Sequence, residues 1–94
     1  MSETESLRLP ASFDYSYHRQ FSEQYTRLLE NGTCKEILLD FSQVEYLDSS
    51  ALGMMVLLQK RAAAQQIKVR VKGARGATDE ILKMANMQKM FEFL

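Results

Sequence analysis

The chain has little of what most enzymes rely on. Its 94 residues contain one cysteine, Cys34, and one histidine, His18. A single thiol excludes an intramolecular disulfide and any cysteine-built zinc site. At the start of an apolar strand, Cys34 reads as a half-buried, inert group. A serine nucleophile needs a base oriented by a third residue. His18, in the first turn of an expected helix, reads as a surface residue, and no Gly-x-Ser-x-Gly elbow occurs. A metal would need a carboxylate cage, yet no Asp/Glu run has calcium-loop spacing. Gly73-Ala74-Arg75-Gly76 lacks the Lys-Ser/Thr of a phosphate-binding loop and reads as a strand-to-helix turn. The expectation is therefore a protein with no catalytic residues, no metal and no cofactor.

Net charge is also lacking. Twelve basic residues balance twelve acidic ones, so no basic footprint draws the chain to nucleic acid or a lipid surface. Lys68-Val69-Arg70-Val71-Lys72 reads as a strand with one solvated face. No apolar run reaches the length of a membrane span, and the first five residues are acidic where a secretory signal would be basic. These features point to a cytoplasmic protein with no direct membrane contact. The composition, 46% apolar and 26% charged, is that of one ordinary globular domain over residues 1–94. It contains no repeat, linker or low-complexity segment.

What is present is a regular alternation of elements. Ser6 to Leu9 alternates polar and apolar before Pro10, as a short edge strand would, and Phe13 follows in a second extended piece. Phe21, Tyr25, Leu28 and Leu29 then recur at helical spacing, with Asp14 or Ser16 as cap and Asn31-Gly32 as stop. Lys35 to Phe41 is the strongest strand. Its run Ile37-Leu38-Leu39 predicts a central strand covered on both faces. A connection through Ser42-Gln43 and Val44 to Leu47 leads to a helix over about 50–65. A strand follows at 67–71, then a helix over about 78–87 capped by Thr78-Asp79, with Ile81, Leu82 and Ala85 inward. A last strand lies near Phe91. Strands alternating with helices predict an α/β sandwich, with a mixed central sheet of four to five strands and helices mainly on one face.

The densest local signal is Val44-Glu45-Tyr46-Leu47-Asp48-Ser49-Ser50-Ala51-Leu52-Gly53. Aspartate and serine are preferred helix N-caps. The start of a helix also favours an anion, so a phosphate on a serine there would be tolerated by the fold while changing its surface. At about 100° per residue, Leu52, Met55, Val56 and Ala63 share a face assigned to the sheet. Met54 and Leu57 then point toward the solvent side marked by Lys60 and Arg61, as candidate contacts for a protein partner. Met84, Met87 and Met90 extend the methionine content near the C-terminus.

This segment, together with Ile37-Leu38-Leu39-Asp40-Phe41 before it, resembles the signature of the STAS domain, the sulfate transporter and anti-sigma factor antagonist family. The element order matches that fold over nearly the whole chain. In bacterial antagonists of the family, the first serine after the aspartate is phosphorylated by the anti-sigma factor, a serine kinase with a histidine-kinase-like ATPase fold. A PP2C-type phosphatase reverses the reaction. The resemblance implies Ser49 as phosphoacceptor and Asp48 as the motif acid. Ser50, Ala51, Leu52 and Gly53 open the helix, and Asp14 stands where the family has Gly-x-Leu-Asp. Ala11 departs from that glycine, and Ala51 replaces the commoner glycine after the serines. A chain of this size reads as the free-standing antagonist type, a monomer when free. The alternative is an accessory subunit of an ABC-type lipid transport complex, in which the two serines are commonly lacking. A nucleotide-binding role, reported for some relatives, finds no phosphate-loop spacing here.

Overall fold

The computed structural model describes residues 3–94. Four strands, β1 (Thr4–Arg8), β3 (Glu36–Asp40), β5 (Lys68–Lys72) and β6 (Glu92–Phe93), form one sheet in the order β1-β3-β5-β6. Two further strands, β2 (Ser12–Phe13) and β4 (Tyr46–Leu47), form a second small ladder. The helices are α1 (His18–Glu30), α2 (Ser49–Ala64) and α3 (Gly76–Met84). Short 3-10 turns occupy Tyr15–Tyr17 and Met87–Lys89.

The expected α/β class is what the chain adopts. The sheet, however, is parallel throughout rather than mixed, since every strand pair among the described residues is parallel. Parallel neighbours need crossover connections, and the helices between successive strands supply them. The segment read as a connection, Val44 to Leu47, closes as strand β4 against β2.

Register explains which side chains are buried. Leu7, Leu39 and Val71 lie in one row across β1, β3 and β5, and Ile37 is level with Val69. All five are buried, with Ile37, Leu39 and Val71 fully inaccessible. The alternate rows, Ser6-Leu38-Arg70-Glu92 and Arg8-Asp40-Lys72, point to the other face. The expectation that both faces of β3 are covered is therefore corrected. Leu38 is only half-buried, because no helix packs on its side, and that face is shielded by its own charged side chains instead. Arg70 sits between the carboxylates of Glu36, at 2.8 Å, and Glu92, tying three strands together.

Aromatic residues close the covered face near the ends of β2 and β3. Phe13 lies 5.3 Å from Phe21 and 6.1 Å from Phe41, ring centre to ring centre, and Phe21 lies 5.2 Å from Tyr25. Such offset and edge-on pairs add to the area each ring buries. Cys34 is more deeply buried than expected, and burial pushes its thiol pKa up.

The boundaries and faces of α2 and α3 differ from expectation. α2 begins at Ser49, and its buried stripe is Ala51, Met54, Met55, Leu58 and Ala62. That stripe is rotated from the predicted one. Ala63 is exposed, Leu52 and Val56 are half-buried, and Met54, expected outside, is 7% accessible. α2 packs against α1 as well as against β5, so its core-facing arc is wide enough to take in Met54. α3 ends at Met84, before the predicted 87, and its cap is not Thr78-Asp79. Thr78 is buried instead, its hydroxyl donating to the Val44 carbonyl at 3.3 Å. Ile81 is 39% accessible rather than inward-facing, while Leu82 is fully buried.

Candidate functional site

The site is assembled by the small β2–β4 ladder. Ser12 pairs with Tyr46 and Phe13 with Leu47. Phe13 and Leu47 are buried and anchor both strands, whereas Ser12 and Tyr46 are exposed. The next residues, Asp14 and Asp48, leave the same end of the ladder side by side. The structure thus brings together two acids 34 positions apart in sequence.

Both aspartates act as caps. Asp14 accepts from the backbone N–H of Ser16 at 3.0 Å and from the Ser16 hydroxyl, starting the 3-10 turn that feeds α1. Asp48 has extended backbone, and its carboxylate accepts from the N–H of Ala51 at 2.9 Å. This is the N-cap arrangement, worth about 1 kcal/mol in typical helices.

Asp48 therefore does what either serine could have done. Ser49 becomes the first helical residue and Ser50 the second. Ser49 is exposed, and its hydroxyl makes no hydrogen bond among the described residues. The backbone N–H groups of Ser49 and Ser50 remain available beside it. Ala51, the third helical residue, is fully buried, so the small side chain after the serines fits a packed position.

The exposed stripe of α2 continues from Ser49 through Gly53 to Leu57, at four-residue intervals. Leu57 is 41% accessible and keeps the exposure expected of it. Met54 does not, as its side chain belongs to the core. Gly53 has no neighbouring atom within 4 Å of where a Cβ would stand. Glycine costs about 1 kcal/mol relative to alanine inside a helix, and nothing inside this domain requires it.

Two exposed aromatics at the site were not predicted. Tyr46 is 55% and Tyr15 67% accessible, and Tyr15 stacks on His18 at 5.3 Å. The signal for Tyr46 was its one-residue offset from Leu47. In a paired strand that offset places the two on opposite faces, but the pairing with β2 was not visible in the sequence. His18 is exposed, as expected.

Ser49 has an unengaged hydroxyl with aspartates beside it. His18 is on the surface against Tyr15, and no group of three or more metal-ligating side chains exists among the described residues. No helix among the described residues is long and apolar enough to cross a membrane.

A parallel sheet with helices on one face, and a helix opened by Asp-Ser-Ser beside a two-residue ladder, defines an α/β domain of the STAS class. The family model described as "Mlab, STAS domain" matches residues 2–93. The chain belongs to the STAS domain family. It is 28% identical over 87 residues to a STAS-domain containing protein of Pseudomonas aeruginosa, covering 93% of this chain and 84% of the other. The fold is shared with the Bacillus cell fate determinant SpoIIAA in its phosphorylated form, at a TM-score of 0.75, 15% identity and coverage of 100% and 85%. It is also shared with the STAS domain of a SulP transporter from Vibrio cholerae, at a TM-score of 0.82, 14% identity and coverage of 100% and 75%.

Proposed function

We propose that this chain is a phosphorylation-controlled binding module that acts in partner switching in the cytoplasm, as an anti-sigma factor antagonist and not as an enzyme. Ser49 is the phosphoacceptor. The observation that carries the reading is that Asp48 closes the helix cap, leaving the Ser49 hydroxyl exposed and unengaged at the first helical position. A serine that capped α2 itself would have to give up its bond to be modified. This one does not.

The unphosphorylated face, with Asp14, Gly53, Leu57 and the two exposed tyrosines around Ser49, is the docking surface for a serine-kinase anti-sigma factor. A phosphate adds nearly two negative charges beside Asp48 and Asp14. In a closed interface, an unpaired charge costs several kcal/mol, enough to release a micromolar complex. A PP2C-type phosphatase would restore binding.

Mass mapping of the protein recovered from its own cells tests the reading directly. Phosphate on Ser49 in some growth condition is expected. Ser49→Ala should then retain its partner in every condition, and Ser49→Asp should lose it. Identical co-purification by both variants would refute the switch.

The second reading is a constitutive accessory subunit of an ABC-type lipid transport complex. It is favoured by the description of the matching family model, which names Mlab rather than an antagonist. It predicts stable co-purification with an ATPase subunit, unaffected by charge at Ser49.

A further inference from the structure

The outer face of α2 is complementary to itself when a second copy is turned end for end. At about 100° per residue, Ser49, Gly53, Leu57, Lys60 and Arg61 fall within an arc of about 120° on the side away from the core stripe. All five are exposed. Lys60 and Arg61 are the only charged residues of the helix. Neither pairs with a carboxylate among the described residues, and Arg61 lies over the Tyr25 ring at 5.9 Å. Asp48 and Asp14 stand at the Ser49 end, and neither pairs with a cation among the described residues. The face is therefore acidic and unpaired at one end, basic and unpaired at the other.

The spacing between the ends is symmetric. Residue 55 is midway between Gly53 and Leu57, and also midway between Ser49 and Arg61. A two-fold axis crossing the helix at that level sets α2 antiparallel to α2 of a second copy. Gly53 then faces Leu57 of the second copy, each about 3 Å of helix rise from the axis, and Ser49 faces its Arg61, each about 9 Å away. Every contact occurs twice, as an isologous interface requires. The leucine fills the space over Gly53, where no atom of the same chain lies within 4 Å of a Cβ position. Asp48 and Asp14 meet Lys60 and Arg61 of the other copy. A parallel pairing would set acid against acid and base against base.

We infer that α2 is a homodimer interface, closed by two Leu57–Gly53 contacts and by the acidic and basic ends of the two faces. One helix face buries little area, so the association is weak and follows the protein's own concentration. The inference shares its face with the docking surface proposed above, but it does not depend on phosphorylation of Ser49. A copy held in the dimer withholds that face from a foreign partner. Negative charge at position 49 faces Arg61 of the second copy, so it strengthens self-association while it expels the partner.

Sedimentation equilibrium of the full chain, from micromolar to millimolar concentration and at low and high salt, tests the interface. A monomer–dimer equilibrium that weakens with salt is expected. Arg61→Glu sets a carboxylate against Asp48 and Asp14, and should weaken association about tenfold because the axis counts each exposed pair twice. Ser49→Arg sets two guanidinium groups together and should weaken it likewise. Mixing these two variants should restore association, since the introduced carboxylate then meets the introduced guanidinium. Rescue in the mixture also separates a lost contact from a lost fold. Gly53→Ala should weaken association while the melting temperature rises. A chain that stays monomeric at millimolar concentration would overturn the inference and leave the face to a foreign partner. Association indifferent to Arg61→Glu, or a mixture no tighter than its components, would overturn it too. None of these outcomes bears on the phosphorylation of Ser49, which mass mapping reads independently.

Discussion

Replacing Gly53 with alanine should make the protein more stable and less able to bind its partner. Gly53 lies in the interior of α2, exposed, with no positive φ, and the added methyl group would meet no atom within 4 Å. No steric term opposes the change. The helix therefore gains the full difference in propensity, about 1 kcal/mol. For a domain of this size that corresponds to a rise in melting temperature of about 4–8 °C. Thermal unfolding followed by circular dichroism, with urea unfolding to check that the slope is unchanged, measures it. The same methyl group stands between Ser49 and Leu57 on the proposed docking face, where it would hold an approaching partner off the helix backbone. Co-purification of the partner should fall accordingly. A melting temperature that is unchanged or lower would refute the claim that Gly53 serves nothing inside the domain. A more stable variant that binds its partner as well as the wild type would refute its place in the interface.

Other perturbations follow from the same geometry. Asp48→Ala removes the cap on Ala51 and should cost about 1 kcal/mol, read as a lower urea midpoint, while Ser49→Ala should cost much less because Ser49 caps nothing. Phe13→Ala should cost about 3–5 kcal/mol and collapse both the β2–β4 ladder and the placement of Asp14, seen as loss of amide dispersion near residues 12–14 and 46–49. The Asp40 carboxyl is held below its ordinary range mainly by the backbone N–H of Ser42, against the opposing effect of burial, with help from the Ser42 side chain, Lys72 and Arg8. Its contribution to stability is thus in place above the unfolded-state value of about 3.9 and is lost as pH falls through the lower folded-state value. Urea unfolding across that acid range should show Asp40→Asn losing less stability on acidification than the wild type. Cys34, buried and with a raised pKa, should react with iodoacetamide far more slowly in the native protein than in urea.

The chain itself determined the class of fold and the start of the α2 helix at Asp48-Ser49-Ser50. Period-two and period-3.6 patterns marked β1, α1, β3, α2 and β5 because each is an amphipathic or apolar run long enough to carry its own signal. Asp48-Ser49-Ser50 was legible because helix starts depend on local hydrogen bonding. Three decisions waited for tertiary contacts. Leu38 reads as apolar in any window, yet only the positions of the helices left its face open. Met54 and Leu57 are three residues apart and equally apolar, and the packing of α1 beside α2 buried one and left the other outside. Two-residue strands such as β2 and β4 have no periodicity to read. Their pairing, which sets Asp14 beside Asp48 and turns Tyr46 outward, exists only because Phe13 and Leu47 meet the same core.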